Sequence, residues 1–391
     1  MINVAEYKSI YQNYLLDNVI PFWMKYSRDN VYGGYITCLD RDGSIFDTDK
    51  FIWLQGRQVW TFAMLYNKVE KKEEWLSFAK NGADFLMNNG RTDDGTFYFS
   101  ITREGKPLIA PYNIFSDCFA TQAMAQMAFA TGNDYYAHQA KSIFTSIIER
   151  KNNPKRNWSK AIPETRPLKN FALPMILSNL AIELGDILDS NIKNELIDQV
   201  VHEVMEVFYH KESGLILENV TPEGNFSDSF EGRLLNPGHA IEAMWFIMDI
   251  GEKKNDQELI RKAKDITLHT LEYAWDEPYD GILYFMDILK KPTQQLEWDQ
   301  KLWWVHIETL IALLKGYHYT KDEKCLEWFK KVHDYSWNHF ADPDYGEWYG
   351  YLRRDNSVLL PLKGGKWKGC YHVPRGLYQC WKTLEAIESK G

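Results

Sequence analysis

Residues 301–320, KLWWVHIETLIALLKGYHYT, decide the fold. Between Val305 and Leu314 the run is apolar on nearly every helical face, so it reads as a helix buried on all sides. Similar segments recur along the whole chain: RQVWTFAMLYNKV from Arg57, DCFATQAMAQMAFATGN from Asp117, FALPMILSNLAIELG from Phe171, HAIEAMWFIMDIG from His239, HIETLIALLKGYHYT from His306 and RGLYQCWKTLEAI from Arg375. The repeat length is about 65 residues. Most of these segments are followed by a polar turn and an amphipathic helix, such as KKEEWLSFAKNGADFLMNN (71–89) and DEKCLEWFKKVHDYSWNHF (322–340). A greasy helix followed by a one-sided helix predicts an inner ring wrapped by an outer ring. The expected fold is all-α, an (α/α)6 barrel in which residues 1–391 form a single domain. An open helical solenoid would also produce such a repeat. Closure is preferred because neither end shows a polar capping repeat.

Short alternating stretches with DG, EG or DN turns lie between the helix pairs, among them VYGGYITCLDRDGSIF (31–46), DDGTFYFSITREGKP (93–107) and YGEWYGYLRRDNSV (345–358). Each precedes an inner helix, so in a closed double ring these hairpins cluster at one end. The residues that open the inner helices lie at that end too: Arg57, Asp117, Asn236, His239, Trp303, Trp304, His306, Glu308, His372 and Arg375. Polar groups at the starts of otherwise greasy helices call for a shared pocket.

Composition narrows the function classes. Hydrophobic residues make up 45% of the 391, aromatics 15%, and the net charge is −9 with both signs interspersed. A clustered basic surface for nucleic acid is absent from the sequence, and no stretch approaches a membrane span. Cysteines 38, 118, 325, 370 and 380 are odd in number and form no CxxC, as expected of reduced thiols in a cytoplasmic protein. No HExxH, GxGxxG, Walker A or GxSxG pattern occurs, so a resident metal or dinucleotide is not expected.

Three of the ten histidines, His239, His306 and His372, sit at equivalent repeat positions. His138, His202, His210, His269, His318, His333 and His339 read as surface residues. Glu242 follows His239 by three residues and would share its helical face, where it would fix the imidazole tautomer. Glu308 and His306 are two apart and diverge on a regular helix. Trp303 and Trp304 read equally as core indoles and as flat faces on which the apolar face of a ligand could pack. The segment KGGKWKGCYHVPRGL (363–377) gathers Lys363, Lys366, Lys368 and Arg375 around flexible glycines, an arrangement able to hold an anion.

GRQVW (56–60), NPGHAIEAMWF (236–246), KLWWVHIETLIALLKGY (301–317), YGEWYGYLRR (345–354) and the 363–380 segment together resemble the N-acylglucosamine 2-epimerases over nearly the full length. The resemblance implies interconversion of N-acetylglucosamine and N-acetylmannosamine, a homodimer, no metal, and stimulation by ATP that is not consumed. It implies His239 and His372 as the acid–base pair, supported by Arg57, Glu242 and Glu308. Arg375, Trp303, Trp304, His306 and Asn236 are expected to meet the sugar. Lys160 and the loop residues Gly364, Gly365, Lys366, Lys368 and Gly369 are expected to meet substrate or nucleotide. Rival readings are a mannose isomerase or cellobiose 2-epimerase on the same barrel, a glycoside hydrolase using Glu242 and Glu308, and a non-catalytic binding protein.

Overall fold

The computed structural model describes residues 2–155, 162 and 165–389. Among them the inner helices are α3 (Ile52–Lys68), α5 (Phe115–Thr131), α7 (Ala172–Glu183), α9 (Pro237–Lys254), α11 (Trp303–Thr320) and α13 (His372–Glu388). Each is followed or flanked by an outer helix: α4 (Glu73–Asn89), α6 (Asp134–Arg150), α8 (Ser190–His202), α10 (Gln257–Ala274) and α12 (Glu323–His339). The expected all-helical double ring is present. In α11, fourteen consecutive residues from Trp303 to Gly316 are buried, which matches its apolar sequence. The outer helices bury only one stripe, as α10 does with Ile260, Ala263, Ile266 and Leu271.

Local chemistry sets the helix ends. Asn133, Asp189, Asp256 and Asp322 cap α6, α8, α10 and α12 by accepting a backbone N–H two or three residues on. Asn236 caps α9 by accepting from His239 N at 3.1 Å, with Pro237 in the first turn. Gly132 ends α5 at φ 62°, a left-handed conformation that glycine adopts without strain.

Among the described residues, α13 is the one inner helix with no outer helix after it. The N-terminal helix α1 (Val4–Asn13), which runs through a wider turn at 14–19 into α2 (Ile20–Tyr26), takes that place. Tyr11 Oη meets His333 Nδ1 of α12 at 3.1 Å, and Lys8 pairs with Glu388 of α13. His333 is therefore buried, contrary to the expected surface position, and burial lowers its pKa to about 4. The inner ring closes where Thr61 of α3 donates to Cys370 O at 2.7 Å and Trp60 packs on Tyr371, just before α13. Inner helices lie close enough that a Cβ on Gly376 would sit 2.1 Å from Ile307 of α11.

The hairpins form one rim. The strand entering an inner helix pairs antiparallel with the hairpin of the next repeat: 50–51 with 100–101, 169–170 with 219–220, 234–235 with 286–287, and 301–302 with 351–352. Beneath them lie three equivalent charge clusters. Asp29 accepts from Lys50 Nζ at 2.9 Å and Arg103 Nε at 2.9 Å. Asp276 accepts from Lys301 at 3.0 Å and Arg354 at 3.0 Å. Asp342 accepts from Lys363 at 2.7 Å and Arg41 at 2.8 Å. Each aspartate follows an outer helix, each lysine precedes an inner helix, and each arginine comes from the following hairpin. Only the third cluster joins the two ends of the chain: Arg41 reaches Asp342 from 301 positions away, and the backbone N–H of Lys363 donates to Leu39 O at 2.9 Å.

These aspartates are buried, and their partners hold their carboxyls below the ordinary value. A depressed carboxylate contributes stability above its unfolded pKa and loses it as pH falls, so acid should open the rim. Asp342→Ala leaves Lys363 buried and unpaired, at a cost of roughly 3–5 kcal/mol. Arg41→Ala removes a solvent-screened partner and should cost distinctly less than Asp342→Ala. Thermal melts of both variants check the order; equal effects would show that the stability of the rim does not rest on the buried pair.

Candidate active site

A cavity of about 650 Å³ opens at the hairpin end, where the N-termini of the inner helices converge. Their aligned N–H groups make this end favourable for negative charge. Trp53, Trp303, Trp304, Tyr284, Tyr351 and Trp367 supply aromatic walls. His239, Glu242, Arg57, His372 and Arg375 supply the polar groups.

His372 is the first residue of α13, and Glu308 of α11 accepts from its Nδ1 at 2.8 Å. That contact fixes the proton on Nδ1 and leaves Nε2 with its lone pair for the cavity. Burial and the nearby Arg57 guanidinium hold His372 well below the usual histidine value, so it is neutral at pH 7. His239, on α9, has a different carboxylate. Glu218, from the 215–220 hairpin, meets its Nδ1 at 3.1 and 3.2 Å. Burial opposes the charged form of His239, but Glu218 outweighs it and the net pKa is raised. Both imidazoles lie against Trp304, with ring centroids 5.4 Å (His239) and 5.7 Å (His372) from the indole. The site thus holds two histidine–carboxylate pairs whose pKa values are pushed apart.

Two arginines play unlike parts. Arg375 donates to Glu242, to Glu308 at 2.6 Å and to Tyr371 Oη at 3.0 Å. Glu308 also accepts from Trp245 at 2.9 Å. Glu242, Glu308 and His372 gather potential ligand atoms within 4.8 Å of one another. The Arg375 guanidinium already sits among them as their cation, which leaves a metal ion little to neutralise. Arg57 forms no ion pair among the described residues. It is sandwiched by Trp53, Phe119 and Tyr371 at 4.3, 4.0 and 4.8 Å. Burial lowers its pKa to about 10, so it stays cationic and faces the cavity without a counter-ion.

The structure brings together His239, His372, Arg57, Glu242, Arg375, Trp303 and Trp304, as expected, and places Glu308 directly behind His372. It corrects other expectations. Glu242 binds Arg375; the tautomer of His239 is set by Glu218. His306 points to the outer ring, accepting from Ile282 N at 3.0 Å and stacking on Tyr335, and burial lowers its pKa to about 3. The two-residue offset from Glu308 turns it away, so it cannot touch a sugar. Asn236 is spent as the helix cap. Asp117 is buried against Arg150 at 2.6 Å on the outer side. In the 363–370 loop, Lys368 is buried and donates to Glu347 and Lys363 O, and Gly364 is pressed on Thr37 O. Gly364, Gly365, Lys368 and Gly369 are thus wall, not ligand contacts, while Lys366 stays exposed. Lys160 lies outside the described residues. Glu218 escaped the sequence reading because it is one acid in a hairpin 21 positions before His239, outside the helix it serves, and no helical spacing links the two.

Residues 34–375 match the N-acylglucosamine 2-epimerase (GlcNAc 2-epimerase) family. The chain belongs to this family. It is 38% identical to the N-acylglucosamine 2-epimerase of Rattus norvegicus, over 95% of this chain and 90% of the relative. The Homo sapiens N-acylglucosamine 2-epimerase is likewise 38% identical, over 96% and 90%. The fold is also that of the cellobiose 2-epimerase from Bacillus thermoamylovorans, with TM-score 0.84 at 22% identity, covering 97% of this chain and 99% of that one.

Glu308→Gln should weaken the hold on His372 and its tautomer while preserving shape. A fall in kcat on the order of 100-fold or more, with little change in KM, is expected. A rise in KM with intact kcat would assign Glu308 to substrate binding instead.

Proposed function

We propose that this protein interconverts N-acetyl-D-glucosamine and N-acetyl-D-mannosamine by moving a proton at carbon two of the ring-opened sugar. The pair of oppositely shifted histidines in one cavity carries this reading, because two groups with separated pKa values can act as base and acid together. Neutral His372 takes the carbon-two proton through Nε2. The C–H electron pair forms the C1–C2 double bond, and the carbonyl π electrons move to O1. Arg57 stabilises the oxyanion that results. Protonated His239 then donates to carbon two from its own side, which inverts the centre. The epimer that presents its proton to His239 runs the reverse course, with the protonation states exchanged.

A glycoside hydrolase would need one of Glu242 and Glu308 free to protonate a leaving group. Both are tied to Arg375, which disfavours that reading. ATP stimulation and a homodimer belong to the proposal on the strength of the motif resemblance, and a cytoplasmic location on the five free, buried cysteines. The exposure of Lys366, whose Nζ lies 4.8 Å from the Trp367 ring, supports reading it as the loop residue that meets a nucleotide phosphate. Among the described residues no helix is long and apolar enough to cross a membrane.

Proton NMR in deuterated water, with and without ATP, tests the reaction. N-acetylglucosamine should yield N-acetylmannosamine carrying deuterium at carbon two, faster with ATP. His239→Asn and His372→Asn should each abolish interconversion yet retain exchange of the carbon-two proton in one epimer only, a different epimer for each variant. One variant inert to both epimers beside a nearly normal partner would replace the pair with a single base. Since Glu218 raises the pKa of His239, Glu218→Gln should move the alkaline limb of the pH–rate profile to lower pH. An unmoved limb would detach His239 from that limb.

A further inference from the structure

The chemistry above leaves one wall of the cavity unused. Helix α7 presents Ala172, Met175, Ile176 and Asn179 to the cavity at helical spacing. Three are apolar; the fourth, Asn179, is an amide 4% exposed. Its Oδ1 accepts from Gln122 Nε2, and its Nδ2 has no acceptor among the described residues.

The direction of that amide is forced from a distance. Arg375 has donors only. Its Nη1 donates to Tyr371 Oη at 3.0 Å, so the tyrosine proton goes onward to Gln122 Oε1, also at 3.0 Å. With Oε1 accepting, Gln122 presents Nε2 to Asn179 Oδ1. The remaining group, Asn179 Nδ2, faces the cavity as an unmet donor beside apolar side chains. A donor flanked by methyl and thioether groups matches a neutral carbonyl bearing a small alkyl group.

We propose that Asn179 determines specificity for the acyl group: Nδ2 donates to the N-acyl carbonyl oxygen, and the acyl methyl lies against Met175 and Ile176. The inference rests on the epimerase reading. It also fits the geometry of inversion. When carbon two loses its proton it becomes planar, with C1, C3 and the nitrogen in the plane and the proton sites above and below. A substituent held in the plane need not travel while the centre inverts, so one donor serves both epimers. A sugar with a hydroxyl at carbon two brings no carbonyl and leaves the donor unmet, which penalises it.

Kinetics of wild type and Asn179→Ala with both N-acetyl sugars, and inhibition by D-glucose, test this. KM should rise by about 10- to 100-fold, with kcat changed by less than about threefold and the inhibition constant of glucose unchanged or lowered, since no donor is left unmet. Asn179→Ser, which keeps a donor, should recover part of the affinity. Asn179→Asp, which replaces the donor with an acceptor, should recover none. An unchanged KM in a folded Ala variant, a matching rise in the glucose constant, or a loss confined to kcat would overturn the assignment. Wild-type protein that leaves both N-acetyl sugars unchanged, without carbon-two exchange, would instead remove the epimerase reading on which it rests.

Discussion

Arg375 can donate hydrogen bonds but cannot accept one, and that asymmetry orders the cavity. Its guanidinium gathers Glu242, Glu308 and Tyr371 around a single buried charge. Each partner passes the constraint on. Glu308 orients His372, and Tyr371 fixes Gln122 and through it Asn179. Two buried carboxylates so close together would repel strongly without this cation; with it, they become rigid acceptors. A chain of side chains on α5, α7, α11 and α13 is thereby given one polarity.

The second arginine works because it lacks what the first one has. Arg57 is surrounded by ring faces, which support its charge without neutralising it. Burial and the same positive charge hold His372 neutral, while Glu218 outweighs burial to favour the protonated form of His239. The chemistry of the site is thus a distribution of charges: a free cation where negative charge develops, a clamped cation where carboxylates must stay still, and one carboxylate behind each imidazole. The scaffold repeats that economy at the rim. Three buried aspartates each bind a lysine and an arginine from neighbouring repeats, and the last joins the two ends of the chain.

Much of this was legible in the sequence. A run such as FALPMILSNLAIELG is apolar in every direction, and only a helix wrapped by others can bury it. The alternation with one-sided helices therefore dictates two rings, and the polar residues opening the inner helices mark the site. Periodicity located His239, His372, Arg57 and Glu242. It also read the lysine-rich 363–370 loop as an anion site, because a lysine count does not reveal its counter-charges. Asp342 and Glu347 lie about twenty residues upstream and neutralise Lys363 and Lys368 inside the wall. His306 misled for a related reason. Its position in the repeat resembles that of the two cavity histidines, but its angle on α11 turns it outward to Tyr335.

The sequence by itself determined the helices, their alternation and the end of the barrel at which chemistry is gathered, because these follow from local propensity and hydrophobic period. The tertiary structure alone decided the partners. Glu218 reaches His239 from a hairpin, Glu308 reaches His372 from another helix, Arg41 reaches Asp342 across the closing ring, and the N-terminal helix fills the last outer place. Each pairing spans positions that no fixed spacing connects. Electrostatic and hydrogen-bond complementarity acts through space, and only closure of the ring brings those groups within reach of one another.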